Sequence, residues 1–163
     1  MASHSRAGEP SSHASATALT EDDVAQALPL IQSIWPGVNL ADWRNFAQCY
    51  YSPLASGATG ILALRDATGT ICGVVAHALG RDLRAGAILQ ADLFAASDLA
   101  NSRWTVQALL DATDAQAASL GCSELAIRIS KEQARLALHL SRLDFTSERV
   151  LFWKRTGLPP IRS

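Results

Sequence analysis

The chain has 163 residues, of which 48% are hydrophobic and 18% charged, with a formal net charge of −1. One domain with a sizeable core is expected at that length. The near-neutral balance supplies no global field to recruit nucleic acid or an anionic membrane, and no apolar run approaches a membrane span. The opening residues are polar, without the apolar core of a signal segment, so a cytoplasmic location is the expectation. Cys49, Cys72 and Cys122 are odd in number and widely spaced, which suits buried free thiols better than disulfides or a metal site.

Residues 1–18 are rich in Ser, His, Ala and Gly with no apolar period. They read as a disordered tail, and residues 19–163 as a single folded domain. Thr20 is placed to cap a first helix, with Glu21, Asp22 and Asp23 in its opening turn and Val24, Ala27, Leu28 and Ile31 at helical spacing. Pro29 falls inside this helix, where a proline bends or interrupts. Trp35-Pro36-Gly37 ends it. Asn39 can cap a second helix with Trp43, Phe46, Ala47 and Tyr50 on one face. Trp43, Tyr50 and Tyr51 read first as core and second as the lining of a substrate cleft.

A hairpin follows. Gly60–Arg65 and Ile71–Leu79 are short apolar strands separated by Asp66-Ala67-Thr68-Gly69-Thr70. His77 lies mid-strand, as a packed imidazole or, alternatively, a base. Gly80–Gly86 reads as a turn, and Ala87–Ala95 as a third strand. Beyond a polar corner, Val106, Leu109, Leu110, Thr113, Ala117 and Leu120 mark one side of a long helix that Gly121 stops. Ser123–Ser130 then alternates, with Leu125, Ile127 and Ile129 on one face. Strand, helix and strand in this order form a crossover with parallel strands.

The corner carries chemistry. A helix beginning just past a strand end presents unpaired N–H groups and the positive end of its dipole, which together accept phosphate. Asn101, Ser102 and Arg103 sit there, and Arg103 can add a bidentate contact. The alternative is that Asn101 or Ser102 simply caps the helix. After the crossover, Ser130 and Gln133 have capping-box spacing, and Leu136, Leu140 and Leu143 form the stripe of a last helix. Arg149–Arg155 is the last strand. The order is two helices, an antiparallel meander, a βαβ crossover, then a helix and a strand. That is an α/β (α+β) fold with one mixed sheet flanked by helices.

In this order, and in three local phrases, the chain resembles the GNAT acetyltransferase superfamily from Thr20 to Arg155. Leu109-Leu110 followed by Ala117 and Leu120-Gly121-Cys122 is similar to the family's central helix. Ser123–Ser130 is similar to its fifth strand, and Leu143-Asp144-Phe145 with Val150–Lys154 to its close. The resemblance implies acetyl-CoA as co-substrate and a small-molecule or peptide amine as acceptor, with a homodimer possible and no nucleic-acid or membrane partner. It implies that backbone amides of Leu93, Phe94 and Ala95 on the fourth strand hold the pantetheine arm and polarise the thioester. The pyrophosphate would lie on the turn Asn101, Ser102, Arg103, Trp104 and Thr105. Asp92, the nearest acidic residue on that strand, is the candidate base, against the alternative of a solvated carboxylate. The family's turn is Gly-rich, whereas Asn101–Val106 contains no glycine. Leu140 occupies the position where many members carry a Tyr acid, and His139 is its neighbour. Two functions follow: an N-acetyltransferase acting by direct attack, or a non-catalytic module that binds a partner or ligand.

Overall fold

The computed structural model describes residues 15–51, 58–97 and 102–147. The expected closing strand Arg149–Arg155, Asn101 and the first fourteen residues lie outside these. One sheet of five strands in the order β1-β2-β3-β4-β5 forms the middle layer. β1 (Ser15–Ala18), β2 (Thr59–Arg65), β3 (Ile71–Asp82) and β4 (Gly86–Ala96) pair antiparallel. β5 (Glu124–Ile127) joins β4 in parallel after the crossover helix α3 (Ser102–Ser119).

β1 corrects the expectation of a tail through residue 18. Ser15–Ala18 carries no large apolar residue, yet it pairs residue by residue with Leu62–Arg65. An edge strand needs only its backbone ladder on one side. The buried Leu19, whose N–H donates to the Ile61 carbonyl at 2.7 Å, holds its end in place. The hairpin strands also run longer than their composition suggests. The β3–β4 turn shrinks to the residues between Asp82 and Gly86, and Gly80 lies inside the ladder opposite Ile88.

Two helical layers sandwich the sheet. On one face lie α1 (Val24–Ile34) and α2 (Leu40–Gln48), packed on Ile61, Ala63, Val74, Ala76 and Ala95. Thr20 does not cap with its side chain. A 3-10 turn over Glu21–Asp23 precedes α1, and the Thr20 hydroxyl donates to the Asp23 carboxylate. α1 continues through Pro29. Asn39 caps α2 as expected, in a capping box with Asp42. Trp43 ties the two helices together: it is 1% exposed and its Nε1–H donates to the Val24 carbonyl at 2.7 Å.

On the other face α3 and α4 (Ala134–Leu140) pack on Leu64, Val75, Ala91 and Phe94. Gly121, at φ +69°, closes α3, and the Cys122 N–H returns to the Ala117 carbonyl. Leu109 is fully buried, while Leu125, Ile127 and Leu136 are half-buried at the margin of this layer. The three cysteines are free, and Cys49 is exposed rather than buried because α2 ends just before it. No helix of the described residues is long and apolar enough to cross a membrane.

Trp43→Phe should cost at least about 1–3 kcal/mol, because the buried hydrogen bond between α1 and α2 is lost and the smaller phenyl ring leaves part of the indole's space empty. Urea unfolding should show a lower midpoint with an unchanged slope. An unchanged midpoint would remove this bond from the stability of the α1/α2 layer.

Candidate active site

Two departures from ladder regularity make the site. The first is a bulge. Ala76 pairs with Leu93, but His77 pairs with Ala91, so Asp92 is an extra residue on β4. Ala91 and Phe94 pack toward α3, whereas Leu93 packs toward α1 and α2. The bulge sends Asp92 to the same side as Leu93, where its Oδ2 accepts the Tyr50 hydroxyl at 3.1 Å.

The second departure is the end of β5. Parallel pairing runs only from Ile88/Glu124 to Ala91/Ile127, with a last bond from the Arg128 N–H to the Ala91 carbonyl at 2.9 Å. β4 continues to Ala96 while the chain past Arg128 turns into the 3-10 turn Lys131–Gln133. The two strands therefore part beside the bulge.

The hydrogen-bond phase of β4 decides which backbone groups face the opening. The Ser97 N–H donates to the Cys72 carbonyl at 2.8 Å. Alternation from that pair makes Val74/Ala95 and Ala76/Leu93 the bonded pairs of the β3–β4 ladder. Of the three residues expected to offer amides, Leu93 and Ala95 thus turn theirs to β3, and Phe94 turns its own to the opening. The Phe94 carbonyl there is taken by a side chain. Gln133, buried at the head of α4, donates from Nε2 at 2.5 Å while its Oε1 accepts the Ser130 N–H at 3.1 Å. Its capping position was legible in the sequence; its reach across to β4 was not.

Asp92 is not a solvated carboxylate. Its Oδ1 lies 3.1 Å from Arg128 Nη1, and the two side chains are 23% and 51% exposed respectively. Burial first, and then the Asp92 charge and its hydrogen bond, raise the Tyr50 phenol far above its ordinary value, so it stays protonated and donating. Tyr51 next to it is pushed up to about 12, chiefly by burial, and its hydroxyl finds no hydrogen-bond partner among the described residues. Tyr50 and Arg128 are the site residues that sequence reasoning undervalued. Arg128 did carry a signal, as a charged residue alternating with Leu125, Ile127 and Ile129 and hence aimed at the opposite face from α3.

α3 starts beyond the end of β4. Of its first turn, Arg103 and Trp104 are exposed, with Trp104 at 39%, whereas Thr105 and Val106 are buried. The side chains standing where the family places glycines are thus divided, with Thr105 and Val106 packed inward. The opening amides of a helix have no acceptor within it. Leu140 is buried in the α3/α4 core and offers no proton. A surface hollow of about 250 Å3, lined by Asp82, Arg84, Ala85 and Glu124, lies at the opposite end of the sheet.

His77 sits opposite the bulge, 2% exposed. Gly60 across the ladder makes room for its ring: a Cβ there would lie 3.2 Å from Nε2. Its Nδ1 has no hydrogen-bond partner among the described residues, and burial lowers its pKa from the ordinary 6.5.

No family model matches this sequence, and no curated protein does. Solved structures do match in fold. An aminoglycoside N-acetyltransferase in complex with CoA is 15% identical with a TM-score of 0.73, covering 92% of this chain and 99% of its own. The ribosomal-protein-alanine N-acetyltransferase of Brucella melitensis biovar Abortus is 16% identical at a TM-score of 0.70, covering 89% and 100%. A transcriptional regulator from Bacillus halodurans is 12% identical at 0.69, covering 88% and 99%. The chain has the GNAT fold. The GNAT arrangement accounts for the two helices before the meander and for the parallel pair closed by a crossover.

A neutral buried His77 makes stability pH-dependent. The unfolded chain binds its proton near pH 6.5 and the folded chain only below that. Stability should be complete above that pH and fall as the pH drops through the window beneath it, by up to about 1.4 kcal/mol per pH unit. Chemical unfolding at pH 7 and pH 5 should show the loss in the wild type and a smaller one in His77→Leu. An equal loss in both would acquit His77.

Proposed function

We propose that this chain transfers an acetyl group from acetyl-CoA to a primary amine by direct attack. The observation that carries the reading is the parting of β4 from β5, which leaves the Phe94 edge open beside the Asp92 bulge. An extended amide chain such as pantetheine can pair with that edge as a strand would, once Gln133 releases the Phe94 carbonyl. The Phe94 N–H then lies where a thioester oxygen gains negative charge, and a fixed backbone donor stabilises such charge most in a site without water. The opening amides of α3, with Arg103 beside them, suit the pyrophosphate.

Asp92 removes the proton from the attacking amine, directly or through water. Tyr50 and Arg128 fix the orientation of its carboxylate. Both acetyl transfer and the acceptor come to this chain from the fold, the opening and its chemistry. The fold alone is also found in a transcriptional regulator, so function rests on the site.

Acetyl-CoA at 100 times its dissociation constant should raise stability by about 2.7 kcal/mol, and Arg103→Ala should weaken CoA more than dephosphorylated pantetheine. Absence of any stabilisation at millimolar acetyl-CoA would leave the non-catalytic module as the reading.

Thiol release in the presence of amine tests the chemistry. Asp92→Asn should lower kcat/KM by about 100-fold or more, and intact-mass measurement after mixing with acetyl-CoA should find no acetyl-enzyme able to pass its group to an amine. Full activity in Asp92→Asn would remove Asp92 from the mechanism, and a competent acetyl-cysteine would overturn direct attack.

A further inference from the structure

We propose that the acceptor is a free α-amino acid, bound as a zwitterion with its ammonium on Asp92 and its carboxylate on Arg128. This rests on the acetyl-transfer reading and names the acceptor class of that site.

The argument begins with the ion pair already in place. Any amine that approaches Asp92 as an ammonium competes for the carboxylate with Arg128, 3.1 Å away. A simple amine or a polycation then leaves two like charges side by side and the guanidinium without its partner. A zwitterion replaces both members at once. Its ammonium meets Asp92 Oδ1, its carboxylate meets the planar fork of the guanidinium, and the net charge of the site is unchanged.

Geometry orders the two ends. The bulge turns Asp92 to the α1/α2 face. Arg128 alternates with Leu125, Ile127 and Ile129, which pack toward α3, so it emerges on that same face from the neighbouring strand. Asp92 is the more withdrawn, with 23% of its side chain exposed against 51% for Arg128. The amine therefore lies inward, beside the opening, and the carboxylate outward. Tyr50 holds Asp92 through the other oxygen, Oδ2, and keeps the carboxylate aimed while Oδ1 changes partner. The Arg128 guanidinium donates to no other residue among those described, so four of its five N–H groups are available.

In the reaction the ammonium loses one proton to Asp92. The neutral nitrogen bonds to the acetyl carbonyl carbon, the carbon–sulfur bond breaks, and the thiolate leaves with the electron pair. The nitrogen gives up its second proton to solvent, and the thiolate takes one from solvent. The product amide is an anion with no cationic end for Asp92, so Asp92 gives its proton to solvent and re-forms its pair with Arg128 as the product leaves.

The test uses the full chain with acetyl-CoA and follows thiol release. The twenty standard amino acids are compared as free acids and as C-terminal amides, beside spermidine and kanamycin. For the best amino acid the free acid should exceed its amide by about tenfold or more in kcat/KM, the worth of a charge-assisted contact. Arg128→Gln should bring that ratio near one, and Arg128→Lys should restore part of it. A ratio near one in the wild type, or a preference for spermidine or kanamycin, would overturn the zwitterion while leaving acetyl transfer intact. If no amine releases thiol, acetyl transfer fails, and amino-acid binding by NMR titration then decides the subsite. Binding of free acid over amide that disappears in Arg128→Gln upholds it, and no such preference ends it.

Discussion

The structure depends on one extra residue in one ladder. A parallel pair kept in register along its whole length would have satisfied the outward backbone groups of β4. Inserting Asp92 between Ala91 and Leu93 breaks the β3–β4 register, and β5 follows β4 no further than Ala91. A bulge locally increases twist and bends the strand that carries it. The consequence is a length of β4 whose outward backbone groups have no strand to bond. A buried carbonyl without a partner costs free energy, and the fold answers with a side chain. Gln133 reaches from the head of α4 to Phe94, and its own acceptor end caps the turn that places it. Such a stopgap leaves the edge satisfied yet exchangeable, which a strand would not.

The same insertion settles where charge sits. Ala91 and Phe94 both face α3, so the two residues between them, Asp92 and Leu93, share the α1/α2 side, away from the core of Phe94, Val106 and Leu109, where an unpaired carboxylate would be prohibitive. There Asp92 meets a phenol and a guanidinium. The partnership spans three places in the chain: the second residue after α2, the bulge of β4 and the residue that follows β5. Pairs of this kind, only partly withdrawn from water, add little to stability. A hydrophobic substitute of similar shape would often serve the fold as well. What such a set does supply is a carboxylate in a fixed orientation beside an opening.

The fold was largely legible because its signals are local. Periodicity, the Asn39 cap and the Ser130 capping box marked the helices, Gly121 marked the end of α3, and apolar runs marked β2 through β5. What was illegible depends on partners far along the chain. Ser15–Ala18 has no pattern of its own and is a strand only because β2 lies beside it. The β3–β4 turn was overestimated because Gly80 looks like a breaker yet sits paired in the ladder. In the site, Asp92 was found by its charge and position, but its bulge is a mismatch of two strands and has no signature in either. Tyr50 read as core because an aromatic on a helical stripe usually is, and its hydroxyl partner lies 42 residues away.

The absent glycines and the absent tyrosine bear differently on the chemistry. Glycine at a helix opening matters when a Cβ would stand between a phosphate and the backbone. In α3 two of the residues in question, Thr105 and Val106, spend their side chains on the core. The remaining pair, Arg103 and Trp104, faces outward, and a guanidinium there adds a donor where it occupies space. The tyrosine is a different case, since Leu140 is committed to packing and nothing on α4 replaces a phenol at that point. An acid for the thiolate is the less needed of the two groups: a thiolate leaves readily at neutral pH because its conjugate acid is weak only by about one or two units. The amine, by contrast, cannot attack while protonated. A site that retains a fixed carboxylate and lacks the acid has therefore kept the group on which the proposed transfer depends.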